Sequence, residues 1–156
     1  MRHRLSGLSS TSRGRIGALA VVGRAVSIAD LSRLCGIAVG PDYDDAVEAA
    51  VASGLVVCTG PELAFVHDLV RQSIYESMAA DERRQLHSRY AQHFLASGAD
   101  PAGRAAHAKL AVTVGDESNA RVMVVAAEAL VTTSAADAAH RALHAVEMRA
   151  TAKSTW

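Results

Sequence analysis

The sequence predicts a mainly α fold with one small β-hairpin. Three observations carry that prediction. Half of the 156 residues are hydrophobic, but only 4% are aromatic. Ala, Val and Leu must therefore build the core, which suits closely packed helices better than a β-sandwich. Apolar residues recur at helical spacing through most of the chain, with capping residues before the stretches and glycines after them. The period changes once, over residues 55–66.

The first helix is expected within "LSSTSRGRIGALAVVGRAV". Ser9, Ser10 and Thr11 are its candidate caps. Ile16, Leu19, Ala20 and Val22 supply its apolar side, and Gly23 is its stop. A second, short helix reads from "SIADLSRLCG", with Ser27 as N-cap and Asp30 three residues on, an acidic variant of the capping box. Its apolar positions are Ile28, Leu31, Leu34 and Cys35, and Gly36 ends it. The third helix lies in "PDYDDAVEAAVASG", with Asp42 as candidate cap, Val47, Ala50 and Val51 on one side, and Gly54 as stop.

"LVVCTGPELAFV" then alternates differently. Leu55–Cys58 is a short β-branched run, "TGPE" is a turn, and Leu63–Val66 is a second short strand. The order helix, helix, helix, hairpin is the layout of a winged helix-turn-helix domain, expected over residues 1–79. Residues 80–156 read as an extension of antiparallel, TPR-like helices. Leu69, Val70, Ile74 and Met78 form one apolar stripe after the hairpin, and Leu86, Tyr90 and Phe94 form the next. Gly98 closes that helix, and Asp100–Pro101 starts another. A last pair of Ala-rich helices follows, its second member capped by Ser134 and Asp137. "TAKSTW" reads as a frayed end.

Charge and motif content exclude several functions. Sixteen basic and sixteen acidic side chains balance, so no global field draws the chain to nucleic acid or an anionic membrane. The third helix carries Asp42, Asp44, Asp45 and Glu48. No Lys or Arg lies between Arg33 and Arg71. That face repels a duplex, and direct nucleic-acid binding is not expected. No apolar run reaches membrane-spanning length, and the basic start has no apolar h-region, so a cytoplasmic chain is expected. Cys35 and Cys58 fit a reduced compartment, as buried thiols rather than a disulfide. No G-x-S-x-G elbow is present. His140 and His144 have the spacing of two metal ligands on one helix, but neither a third ligand nor an H-E-x-x-H motif accompanies them, so no metal is expected. Arg83, Arg84, His87 and Arg89 read as a solvated basic face.

The stretch "FVHDLVRQSIYESM" (residues 65–78) stands apart, because it sets an ionisable His67 beside Asp68 where a strand meets a helix. Asp68 reads as the cap of that helix. Arg71, one turn on, is placed to pair with it.

The chain also resembles a known family. "RLSGLSSTSRGRIGALAVVGR" is similar to the segment just downstream of the ATPase core in large LuxR-type ATP-binding transcriptional regulators of the STAND class. The stretch from Ala50 to Ala111 continues that similarity, which runs over about residues 4–150. Its most specific motif is Phe65–Val66–His67–Asp68–Leu69–Val70–Arg71. In that class a P-loop NTPase core precedes a winged helix and a helical-repeat sensor, often followed by a DNA-binding helix-turn-helix. The resemblance implies that His67 senses the β-phosphate of ADP held by the NTPase core, with Asp68 capping the helix beside it. It implies a nucleotide-dependent signal-transduction switch, ADP and ATP as ligands of the intact protein, and an upstream NTPase domain as partner.

The departures bear equally on function. The sequence has no G-x-x-x-x-G-K-[ST] loop, and Arg13–Gly14–Arg15–Ile16–Gly17 lacks the Lys–Ser/Thr ending of a phosphate cradle. The expectation is therefore a regulatory fragment with neither enzyme activity nor bound cofactor of its own. The alternatives are a free-standing helical adaptor that binds a protein without nucleotide, and a winged-helix DNA binder.

Overall fold

The structure, a computed structural model, describes residues 9–36, 41–97, 101–111, 117–131 and 134–153. Eight helices and three short strands run along these residues. They are α1 (Ser10–Val22), β1 (Val26–Ser27), α2 (Ile28–Cys35), α3 (Pro41–Ala52), β2 (Val56–Thr59), β3 (Glu62–Phe65), α4 (Asp68–Ser77), α5 (Ala80–Ser97), α6 (Pro101–Leu110), α7 (Glu117–Leu130) and α8 (Ala135–Lys153). The chain divides into two compact units, Met1–Ala80 and Asp81–Trp156. Among the described residues, no helix is long and apolar enough to cross a membrane.

In the first unit α1 is central. The sequence gives it one apolar side, but the structure buries it all round. Every residue from Arg15 to Val22 is buried, because α2, α3, α4 and β3 surround it. Ser9 is its cap, accepting a 3.1 Å bond from the Ser12 amide. Gly23 ends it at φ 73°, its N–H donating to the Leu19 carbonyl. Glycine takes that left-handed conformation without the steric cost a Cβ brings. Gly17 lets α4's end come close, since a Cβ there would meet the Met78 methyl at 3.1 Å.

The second helix starts as its sequence predicts. The Ser27 hydroxyl accepts from the Asp30 amide at 3.0 Å and donates to the Asp30 carboxylate at 2.7 Å. Ser27 has another role that sequence did not reveal. With Val26 it forms β1, which pairs antiparallel with β3 at Val26↔Leu63 and Ser27↔Glu62. The hairpin β2–β3 is therefore two strands of a three-stranded antiparallel sheet, in the order β1-β3-β2. Gly60, at φ 59°, opens the two-residue turn between β2 and β3, where a hairpin of this length favours glycine.

Several expectations need correction. α3 begins at Pro41, so Asp42 lies inside its first turn instead of capping it. Cys58 is exposed and Cys35 half-buried, not buried thiols. Cys58 sits on β2, the edge strand, where only Val56 is buried. On α4 the buried position is Ile74, with Val70 and Met78 partly covered. Leu69 is 80% exposed, because it lies about 100° around the helix from Val70. The Gly98 stop and the Asp100 cap lie outside the described residues, as does the side chain of Phe94.

In the second unit the core is built almost wholly from small side chains. Ala91, Ala105, Ala108, Ala120, Ala126 and Ala145 cluster with Val122 and Met123. Alanine lets helix backbones approach closely, and α7 packs along both α6 and α8. Ser134 caps α8, taking the Asp137 amide at 3.4 Å and donating to its carboxylate at 2.9 Å. α8 continues to Lys153, so Thr151–Lys153 of the expected frayed end are helical.

Candidate functional site

The junction of β3 and α4 holds the motif that sequence singled out. β3 ends at Phe65, and the Val66 amide still bonds the Leu55 carbonyl at 3.1 Å. His67 then turns extended, at φ −138° and ψ 134°. Its carbonyl accepts from the amides of Val70 (3.1 Å) and Arg71 (3.3 Å), which starts α4. The capping position is therefore His67, not Asp68. The imidazole makes no capping bond and stands exposed. The backbone at His67 is fixed by the helix it begins, and its side chain is left for other contacts.

Asp68 is the first residue of α4. Its carboxylate favours the positive end of the helix dipole, but its bond goes forward, accepting from Arg71 Nε at 2.6 Å. That hydrogen bond, with the guanidinium charge behind it, holds the Asp68 carboxyl below the usual carboxylate range. Arg71 also donates through Nη1 to the Ala20 carbonyl at 3.3 Å. The last carbonyls of a helix have no amide of their own helix to accept from. Arg71 therefore caps α1 while it pairs with Asp68, and it joins two helices 51 positions apart. Beside this link lies a cleft of about 190 Å³, lined by Gly23, Arg24, Ala25, Phe65, Asp68 and Arg71 among others. Val66 and Leu69, on either side of the His–Asp pair, are 46% and 80% exposed.

A second cluster escaped sequence reasoning. The basic face expected to be solvated includes His87, yet His87 is only 3% exposed. Its Nδ1 lies 2.7 Å from Nδ1 of His107, so α5 and α6 meet ring to ring. Tyr90 packs against His107, the two rings tilted by 40° with centroids 4.0 Å apart. Burial pushes His87 down to about 4, and the Arg83 charge adds to this. A signal was present: His87, Tyr90 and Ala91 have i, i+3, i+4 spacing, and all three are buried. Of the stripe written through Leu86, Tyr90 is buried, but Leu86 is half-buried and its neighbour His87 takes the inward position. Arg84 is exposed and pairs with Asp81, as a solvated face would have it.

Elsewhere, His144 Nδ1 lies 3.2 Å from Glu147 Oε2, and the His140 ring stacks on the His144 ring at 6.4 Å. Among the described residues no three metal-ligating side chains group together. Arg15, from the segment that fails as a phosphate cradle, is buried within α1. No protein-family model, curated protein or solved structure matches the chain.

Proposed function

We propose that the first unit is a winged helix-turn-helix domain and the second a TPR-like extension. Together they would form the regulatory part of a cytoplasmic, nucleotide-dependent switch like those of LuxR-type ATP-binding transcriptional regulators. Two things support the domain reading: the order α1, β1, α2, α3, β2, β3 and the strand order β1-β3-β2. The functional reading rests on one observation. At the β3–α4 junction Val66, His67, Asp68 and Leu69 are all exposed in succession. A valine and a leucine in water on both sides of an exposed histidine suit a surface that another domain covers.

In this reading an NTPase core is the cover. His67 bonds the β-phosphate of ADP bound in that core, and Val66 and Leu69 bury against it. Exchange for ATP removes the phosphate contact and releases the second unit. The two nucleotides thus act through differential affinity for two arrangements. The test is His67→Ala in an intact protein carrying the core. Weaker ADP binding and higher basal output are expected. Unchanged ADP affinity together with unchanged output would sink the proposal. The present chain, titrated alone in a calorimeter, should show no micromolar affinity for ADP.

A second reading, a helical adaptor, draws on a groove of about 350 Å³ between α7 and α8, lined mainly by Ala127, Val131, Ala138, Ala139 and Ala142. DNA binding is disfavoured by Asp45 and Glu48, which are exposed on α3.

A further inference from the structure

The histidine pair, with His87 buried and His107 half-buried, lies outside the proposed nucleotide site, in the second unit. At 2.7 Å the two Nδ1 atoms are within hydrogen-bond distance, so one ring donates an N–H and the other accepts with its lone pair. The neutral pair thus holds one proton in the bridge. A first added proton fits on Nε2 of the donor ring and leaves the bridge intact. A second must go to the bridging lone pair of the acceptor. Two N–H groups, each on a cationic ring, would then face each other at 2.7 Å. The helices must separate to admit that state.

The surroundings favour the uncharged pair. On α5, Arg83 precedes His87 by one turn and Tyr90 follows it. On α6, Arg104 precedes His107 by one turn and is itself buried. α7 reaches the same stretch of α5 through Asn119, which is uncharged and bonds Ser88 at 3.2 Å. The Arg83 charge raises the cost of a further positive charge at His87, and the acidic Glu117, two residues before Asn119 on α7, is exposed.

We propose that His87 and His107 form an acid-released latch between α5 and α6, closed while the pair carries at most one positive charge and opened by the second. The distinguishing property is its proton count, since opening takes up two protons from the neutral pair and one from the singly charged pair. Hydrogen exchange of α5 and α6 amides in the full chain measures it, after correction for the intrinsic pH dependence of exchange. Below about pH 6, where freed histidines are protonated, the pH slope of the opening constant should steepen to about a hundredfold per unit while the closed pair is neutral. In His107→Gln, whose amide can still donate to His87, it should fall to about tenfold. A wild-type slope that never exceeds one proton below pH 6, or an unchanged steepest slope in His107→Gln, overturns the proposal. Should the variant not fold, long-range ¹H–¹⁵N spectra of the wild-type histidines decide instead. One protonated Nδ1 between the two rings at pH 7.5 supports the latch, and independent titration of both rings near 6.5 overturns it.

Discussion

Replacing Arg71 with alanine removes two bonds of unequal worth, and their difference is measurable. The bond to Asp68 is the shorter, at 2.6 Å, but the Asp68 side chain is 75% exposed. Water and salt screen such a pair and leave it little net value. The bond to Ala20 is longer, at 3.3 Å, but the Arg71 side chain is only 26% exposed and the acceptor belongs to the last turn of a buried helix. Hydrogen bonds from charged donors contribute about 1.5–3 kcal/mol, and the length of this one places it near the lower end. With the lost packing of the arginine stem, Arg71→Ala should cost about 1–2 kcal/mol. That corresponds to roughly 5–30-fold faster exchange of α1 and α4 amides in native-state hydrogen exchange. Asp68→Ala should leave those amides close to wild type. Arg71→Lys should fall between, because an ammonium cannot span both acceptors as the planar fork does. If Asp68→Ala proves as damaging as Arg71→Ala, the stabilisation lies in the surface pair and the helix-capping argument is wrong.

Other perturbations follow from the same geometry. Ser27→Ala removes the cap of α2 and should lower stability by about 1 kcal/mol in urea denaturation, with Ser27→Asp restoring most of it. Gly23→Ala puts a Cβ at φ 73° and should cost on the order of 1 kcal/mol even though its nearest neighbour, the Val21 carbonyl oxygen, would lie at an ordinary 3.9 Å, read as a lowered Tm. His87 is held at about 4 in the folded chain against 6.5 when free. The unfolded state therefore binds more protons between those values. Stability is full above pH 6.5 and is lost as pH falls towards 4, by at most about 3 kcal/mol. Melting curves at pH 7 and 4.5 should converge in His87→Gln and diverge in the wild-type chain.

What sequence revealed was mostly local. Ser27 with Asp30, Ser134 with Asp137, and the stops at Gly23 and Gly36 act within one turn of chain, so residue identity suffices to find them. β1 escaped because two residues make no alternating pattern, and its partner Leu63 lies 37 positions away. Leu69 and His87 show the other limit. Each neighbours a residue of different burial, Val70 and Leu86, and a helix turns about 100° between neighbours. Which one faces inward depends on what packs there. Arg71 was read as a partner for Asp68, which it is. Its bond to Ala20 needed the fold, since nothing near either residue points to the other. His107 was never singled out, because its role exists only opposite His87.

Ser27 belongs both to β1 and to the cap of α2. No spacer separates the sheet from the helix, so the rotational phase of α2 is indexed to the strand register. Inserting or deleting one residue between Ser27 and Leu31 would turn the helix by about 100°. Leu31 and Leu34, at 1% and 3% exposure, would leave the core together. Point substitutions in this segment can be graded in their effects, but length changes cannot. Natural variation here should therefore alter letters and preserve the count.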